Sequence, residues 1–142
     1  QNLPRSKLLF IGSVSNFIHQ TFKDAQNITF SGKVPYLEVC DLLKRAKYGL
    51  NLIPDVYPQN SQDSTKLLEY CALGLKIISS NYSWVRNFEK ARKAKFFFLN
   101  ENLANFKTDQ IASFNFKTPS IEDLEWQKVI ERSNVFGFLR KI

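Results

Sequence analysis

At 142 residues the chain has the length of one domain and can bury a real core. A composition of 44% hydrophobic and 14% aromatic residues, with 13 Phe, is that of an ordered globular protein. No apolar run reaches the length of a membrane span and no leader-like segment opens the sequence, so a soluble protein is expected; the net charge of +7 calls for an anionic partner or a solvated basic surface.

Residues 7–14 (KLLFIGSV) form a continuous apolar run closed by Gly12 and Ser13, the pattern of a buried parallel strand. A short helix is expected within 16–25, and residues 27–32 (NITFSG) give a second strand ending in glycine. Pro35 opens a helix to about Lys47 whose apolar side holds Tyr36, Val39, Cys40 and Leu43, with Leu42 and Ala46 beside them. Residues 48–54 (YGLNLIP) read as a third strand. The polar, proline-bearing stretch 55–63 (DVYPQNSQD) follows, at the carboxyl end of a strand where open α/β sheets bind ligands.

Residues 66–79 (KLLEYCALGLKIIS) are the best-defined stretch. Leu67, Leu68, Cys71 and Leu75 recur at helical spacing and turn one side inward, leaving Thr65, Lys66, Glu69 and Leu73 near the other. Gly74 stands where a helix ends in a left-handed residue, and Ile77 and Ile78 begin a buried strand over 76–80. A helix over 84–93, an apolar strand over 95–99, and short helical pieces within 100–117 come next. Thr118-Pro119-Ser120 starts a last helix with Ile121, Leu124, Val129 and Ile130 inward and Trp126 near that face. The alternation of strands and helices predicts an α/β fold of Rossmann-like type, a three-layer sandwich with a mainly parallel sheet, as a single domain over 1–142.

Cys40 and Cys71 both fall on apolar helix sides and read as core thiols, and His19 is the only histidine, so neither a metal site nor a histidine-based triad is expected. Basic residues bunch only at Arg86, Lys90, Arg92, Lys93 and Lys95. An anionic inner membrane leaflet is one reading of that cluster, a solvated helix face another; nucleic acid is not expected, because no aromatics interleave with it. The absence of methionine and a start at Gln1 suggest a piece of a longer protein.

Ser64-x-Lys66-Leu67-x-Glu69-Tyr70-x-Ala72-x-Gly74-x-x-Ile77 resembles the donor-site helix of group 1, family 4-like glycosyltransferases of the GT-B architecture, whose members often read S-x-K-L-x-E-Y-x-A-x-G-x-P-V-V. Asn27-Ile28-Thr29-Phe30-Ser31-Gly32-Lys33-Val34 is similar to the family's N-V-x-F-x-G-x-V segment, and the tail around Trp126 to its last helix. The resemblance implies the carboxyl-terminal, nucleotide-sugar-binding domain of a two-domain enzyme. Such an enzyme transfers a hexose from a nucleoside-diphosphate sugar to a saccharide or lipid-linked acceptor, without cofactor or metal, in the cytoplasm or at the inner face of the membrane. The acceptor would lie on an amino-terminal domain, and this piece alone would turn over little or nothing.

The chain departs from the family at three positions. Lys76 replaces the usual proline. After Gly12 no basic residue occurs until Lys23, where relatives carry Gly-Arg and a later lysine for the diphosphate; either this first unit is shortened or it lies outside the chain. Ser61 stands eight residues before Glu69, where many relatives have a first glutamate, leaving Gln62 or Asp63 as candidates for the donor sugar.

The unpaired N–H groups at a helix amino end suit phosphate oxygens, so Ser64, Thr65 and Lys66 are candidate donor-phosphate residues, the first two serving equally as plain N-caps. Glu69, with two acceptor oxygens about one and a half turns on, suits the ribose diol or, more simply, a solvated pair with Lys66. Gly32 and Lys33 are implied for the base, and Ser13 and Asn81 end strands as weaker candidates. No catalytic residue is assigned. A non-catalytic nucleotide- or protein-binding module, and an unrelated doubly wound domain, stay open beside this reading.

Overall fold

The computed structural model describes residues 6–140. The fold is α/β with parallel strand pairing, and the chain divides into two compact units. Among the described residues one comprises 6–47 and 99–114, the other 48–98 and 115–140. Among the described residues the strands form two sheets, one of two strands and one of three.

In the first unit β1 (Leu8–Phe10) pairs in parallel with β2 (Ile28–Phe30), register Leu8 to Ile28 and Phe10 to Phe30, across helix α1 (Asn16–Phe22). Ser15 caps α1 by accepting from the Ile18 N–H at 3.3 Å. The expected strand over 7–14 is shorter and less buried than its composition suggests. Leu9 and Phe10 are 41% and 39% exposed, and among the described residues β2 is the only strand paired with β1. Helix α2 (Tyr36–Leu43) follows Pro35. Val39, Cys40, Leu42, Leu43 and Ala46 are half-buried as expected, but Tyr36 points to solvent. Helix α5 (Thr108–Ser113) completes the unit.

The second unit opens with β3 (Tyr48–Asn51), which runs parallel to β4 (Lys76–Ser80), Gly49 opposite Ile77 and Asn51 opposite Ser79. β4 is the middle strand of the order β3-β4-β5, where β5 is Phe97–Leu99. Its consecutive residues Ile77, Ile78 and Ser79 are all buried, as a strand covered on both faces requires. The expected third strand ends at Asn51, three residues early, and Leu52 is exposed.

Helix α3 (Thr65–Ala72) carries Leu67 and Cys71 into the core beside Ile77, Tyr82, Val85 and Phe96. Its end is the expected one. Gly74 has φ +67°, the Leu75 N–H bonds Tyr70 O at 2.9 Å, and the Gly74 N–H bonds Cys71 O at 3.0 Å. Helix α4 (Ser83–Arg92) places Val85 in the same core and stacks Trp84 between Tyr82 and Phe88, with ring centroids 6.4 and 5.1 Å apart.

The last helix differs from expectation. Lys117 bridges Lys95 in antiparallel fashion, the Thr118 hydroxyl donates to Leu75 O at 2.7 Å, and one 3-10 turn covers Glu122–Leu124. Glu125 then takes an extended conformation, so α6 (Trp126–Ser133) begins late, and Trp126 is 80% exposed rather than packed. A short α7 (Val135–Leu139) follows, with Phe136, Phe138 and Leu139 exposed. Asp123 ties α4 to α6: Arg92 Nη1 reaches its Oδ1 at 2.6 Å, Arg132 Nη1 its Oδ2 at 3.7 Å, and Arg132 Nη2 donates to its carbonyl. Among the described residues no helix is long and apolar enough to cross a membrane.

Candidate functional site

The motif of residues 64–77 folds as one helix–turn–strand unit, helix α3 running through the Gly74 turn into β4. Its amino end follows the carboxyl end of β3 and the polar stretch 55–63, which holds a 3-10 turn at Gln59–Ser61. Ser64 caps α3: its Oγ accepts from the Leu67 N–H at 3.2 Å. Beyond it, Thr65 and Lys66 are exposed and Glu69 is half-buried on the next turn. Gln62 and Asp63 are exposed just before the cap. On the expected outward side Thr65 and Lys66 are exposed while Glu69 and Leu73 are half-buried; on the inward side Leu67, Cys71 and Leu75 are buried and Leu68 is half-buried.

Ser64 itself is only 5% exposed, and the reason is Asn51, the last residue of β3. The Ser64 hydroxyl donates to Asn51 Oδ1 at 2.8 Å. The two amide protons of Asn51 go to Ser79 Oγ at 3.1 Å and to Tyr82 Oη at 3.0 Å. Ser79 in turn donates to a backbone carbonyl, Asn51 O at 3.0 Å or Ser80 O at 2.9 Å. Asn51, Ser79 and Tyr82 are 0% exposed, and among the described residues no buried side-chain polar atom lacks a partner. Burial raises the Tyr82 phenol above its ordinary value, while its bonds to Asn51 and Ser64 pull the other way.

This network went unremarked in the sequence, although Asn51 interrupts the apolar run GLNLIP and Ser79 follows Ile77 and Ile78. A polar residue inside a strand otherwise fit for the core is a signal that a buried partner is waiting for it.

Asn81 lies beyond β4, exposed, and Arg86 Nη1 grips both its carbonyl and its Oδ1 at 3.1 Å. Ser61 closes its own turn by donating to Pro58 O at 2.9 Å. The remaining candidates belong to the other unit. Gly12 and Gly32 face each other in an isolated antiparallel bridge, Gly12 N to Gly32 O at 2.9 Å, which sets the exposed Ser13 and Lys33 just beyond the paired ends of β1 and β2. Ser13, Gly32 and Lys33 thus end strands of one sheet, Asn81 a strand of the other.

His19 is exposed on α1 with its ring 5.4 Å from Phe30. Both cysteines are free; Cys71 is buried and Cys40 half-buried. Among the described residues no group of three His, Cys, Asp or Glu is placed to hold a metal ion. Compared with models of protein families, with curated proteins and with solved structures, the chain matches none.

Proposed function

We propose that the chain is the nucleotide-sugar-binding domain of a GT-B-type glycosyltransferase. The observation that carries the reading is that the motif residues occupy one continuous unit. Ser64 caps α3, Thr65 and Lys66 are exposed at its amino end after the carboxyl end of a parallel strand, Glu69 stands one turn on, and Gly74 ends the helix in the left-handed conformation. In this reading the partial positive charge of the helix end and the Lys66 ammonium meet the donor diphosphate, and the Glu69 carboxylate accepts from the two ribose hydroxyls. Gln62 and Asp63 precede the same helix end in sequence, while the parts of Asn81, which follows β4, of Gly32 and Lys33 at the base, and of Ser13 are carried by the resemblance alone. Hexose transfer, an amino-terminal acceptor domain, and a cytoplasmic setting at an anionic membrane face complete the proposal.

Calorimetric titration with UDP, GDP and ADP tests it. One diphosphate should bind, and Glu69→Ala should weaken it by about tenfold, the scale of losing a charge-assisted hydrogen bond. If none binds at millimolar concentration, the chain is not a donor site by itself. A second reading, a nucleotide- or protein-binding module without transfer activity, is favoured by Ser61, whose hydroxyl closes a turn where relatives carry a carboxylate.

A further inference from the structure

We infer that Ser64 is not a ligand group but a positioning residue, and that Asn51 is the anchor through which it sets the amino end of α3. The inference rests on the donor-site reading for its ligand half and on buried geometry alone for the rest. A serine hydroxyl has one proton. That proton goes to Asn51 Oδ1 at 2.8 Å, and one lone pair takes the Leu67 N–H. The Asn51 amide presents its N–H groups to Ser79 Oγ and Tyr82 Oη while Ser79 donates to a backbone carbonyl, which leaves Oδ1 to accept from Ser64.

The consequence is chemical. A buried hydroxyl whose proton is committed cannot donate to a phosphate oxygen. The groups left at this helix end are the N–H groups of Thr65 and Lys66, which have no intrahelical acceptor, and the Lys66 ammonium. Any diphosphate held there is held by the backbone and by Lys66. Asn51, which touches no ligand, governs the affinity by fixing where those N–H groups point. Because Asn51 is also bonded to Ser79 on β4 and to Tyr82 at the start of α4, one side chain registers the helix end against β4 and α4.

The test is a double-variant cycle on the full chain, with Ser64→Ala, Asn51→Ala, the pair together, and Ser64→Thr as the conservative control. Urea unfolding of the free proteins is the first readout. The double variant should unfold at the midpoint of the worse single, and Ser64→Thr should keep the wild-type midpoint, because threonine retains both the acceptor and the proton. Independent, additive losses would overturn the positioning role. The second readout is calorimetric titration with whichever of UDP, GDP and ADP the wild type binds. Each single substitution should weaken binding about tenfold and the pair no further, with Ser64→Thr at the wild-type value. A Ser64→Ala loss that persists in full in the Asn51→Ala background would show direct contact with the ligand and overturn the inference. If the wild type binds none of the three, the donor-site reading fails and the ligand half falls with it, while the unfolding cycle still decides whether Asn51 positions Ser64.

Discussion

Gly49 and Tyr70 occupy one space: a Cβ added to Gly49 in β3 would stand 2.5 Å from Cγ of the Tyr70 ring and 2.8 Å from its Cε2. The strand and helix α3 therefore approach closely where the one has no side chain and the other an aromatic plate, and the Tyr70 hydroxyl runs on to Leu50 O at 3.5 Å. Gly49→Ala must push the ring or the strand aside, since the obstructing atoms belong to a rigid ring and not to the end of a flexible chain. The expected cost is about 1–3 kcal/mol, the range for overpacking a filled site, read as a lower urea midpoint with unchanged slope. A variant as stable as the wild type would mean that Tyr70 does not lie over this glycine.

The same burial makes stability fall in alkali. Burial pushes the Tyr70 phenol up to about 12, helped by the negative charge of Glu69, and pushes the Cys71 thiol up to about 12 against the opposing effect of Arg92. Both groups are neutral when protonated, and the unfolded chain loses these protons first. Their contribution is therefore complete below the unfolded values, near pH 8.5 for cysteine and about 10 for tyrosine, and is lost as pH rises above them toward the folded values. Unfolding midpoints should decline from about pH 9 upward, and Tyr70→Phe, which removes one of the groups raised by burial, should flatten the decline. An equal slope in that variant would assign the effect elsewhere.

How much of this was legible in the sequence depends on whether a signal was local. The end of α3 at Gly74, its buried face at Leu67, Cys71 and Leu75, and the bounds of β4 all follow from helical spacing, a glycine and an apolar run, and all stand where expected. What failed was non-local. Residues 7–14 have the composition of a strand buried on both faces, but burial is conferred by what packs on those faces, and Leu9 and Phe10 are exposed. Trp126 reads as an inward residue on a helix starting at 118–120; the Lys95–Lys117 bridge and the extended Glu125 delay that helix and leave the indole in solvent. In the candidate site the cap was readable, whereas its buried partner Asn51 stands 13 residues earlier in the chain.

Asp123 gives stability an acid edge. Its carboxylate accepts from Arg92, the main reason its pKa is lowered from the ordinary carboxylate value, and Arg132 adds a second positive charge. As pH falls, the unfolded chain takes up this proton before the folded one does. The stabilisation is therefore complete above the unfolded value of about 3.9 and disappears as pH drops through the lower folded value. Asp123→Asn should be less stable than the wild type at neutral pH, and the gap should close below about pH 4. Because the carboxylate is partly open to water, 0.5 M salt should narrow the gap at neutral pH as well. A gap independent of both pH and salt would show that the residue acts by packing alone.

Helices α3 and α4 end with the same backbone device but with different residues in the left-handed position, which sets up a paired prediction. In α3 the residue is Gly74 at φ +67°. In α4 it is Lys93 at φ +50°, with the Ala94 N–H on Glu89 O at 3.0 Å and the Lys93 N–H on Lys90 O at 3.3 Å. A Cβ on Gly74 would meet no atom within 4 Å, so Gly74→Ala tests backbone conformation without a steric clash, and it should cost about 1–2 kcal/mol. Lys93→Gly removes that strain from α4 and should stabilise by up to about 1 kcal/mol. The lysine charge there is dispensable for the helix dipole, since Lys90 and Arg92 already occupy the last turn. Urea unfolding of the two variants should move in opposite directions; if Lys93→Gly destabilises, the lysine side chain contributes more to the end of α4 than its strained backbone costs.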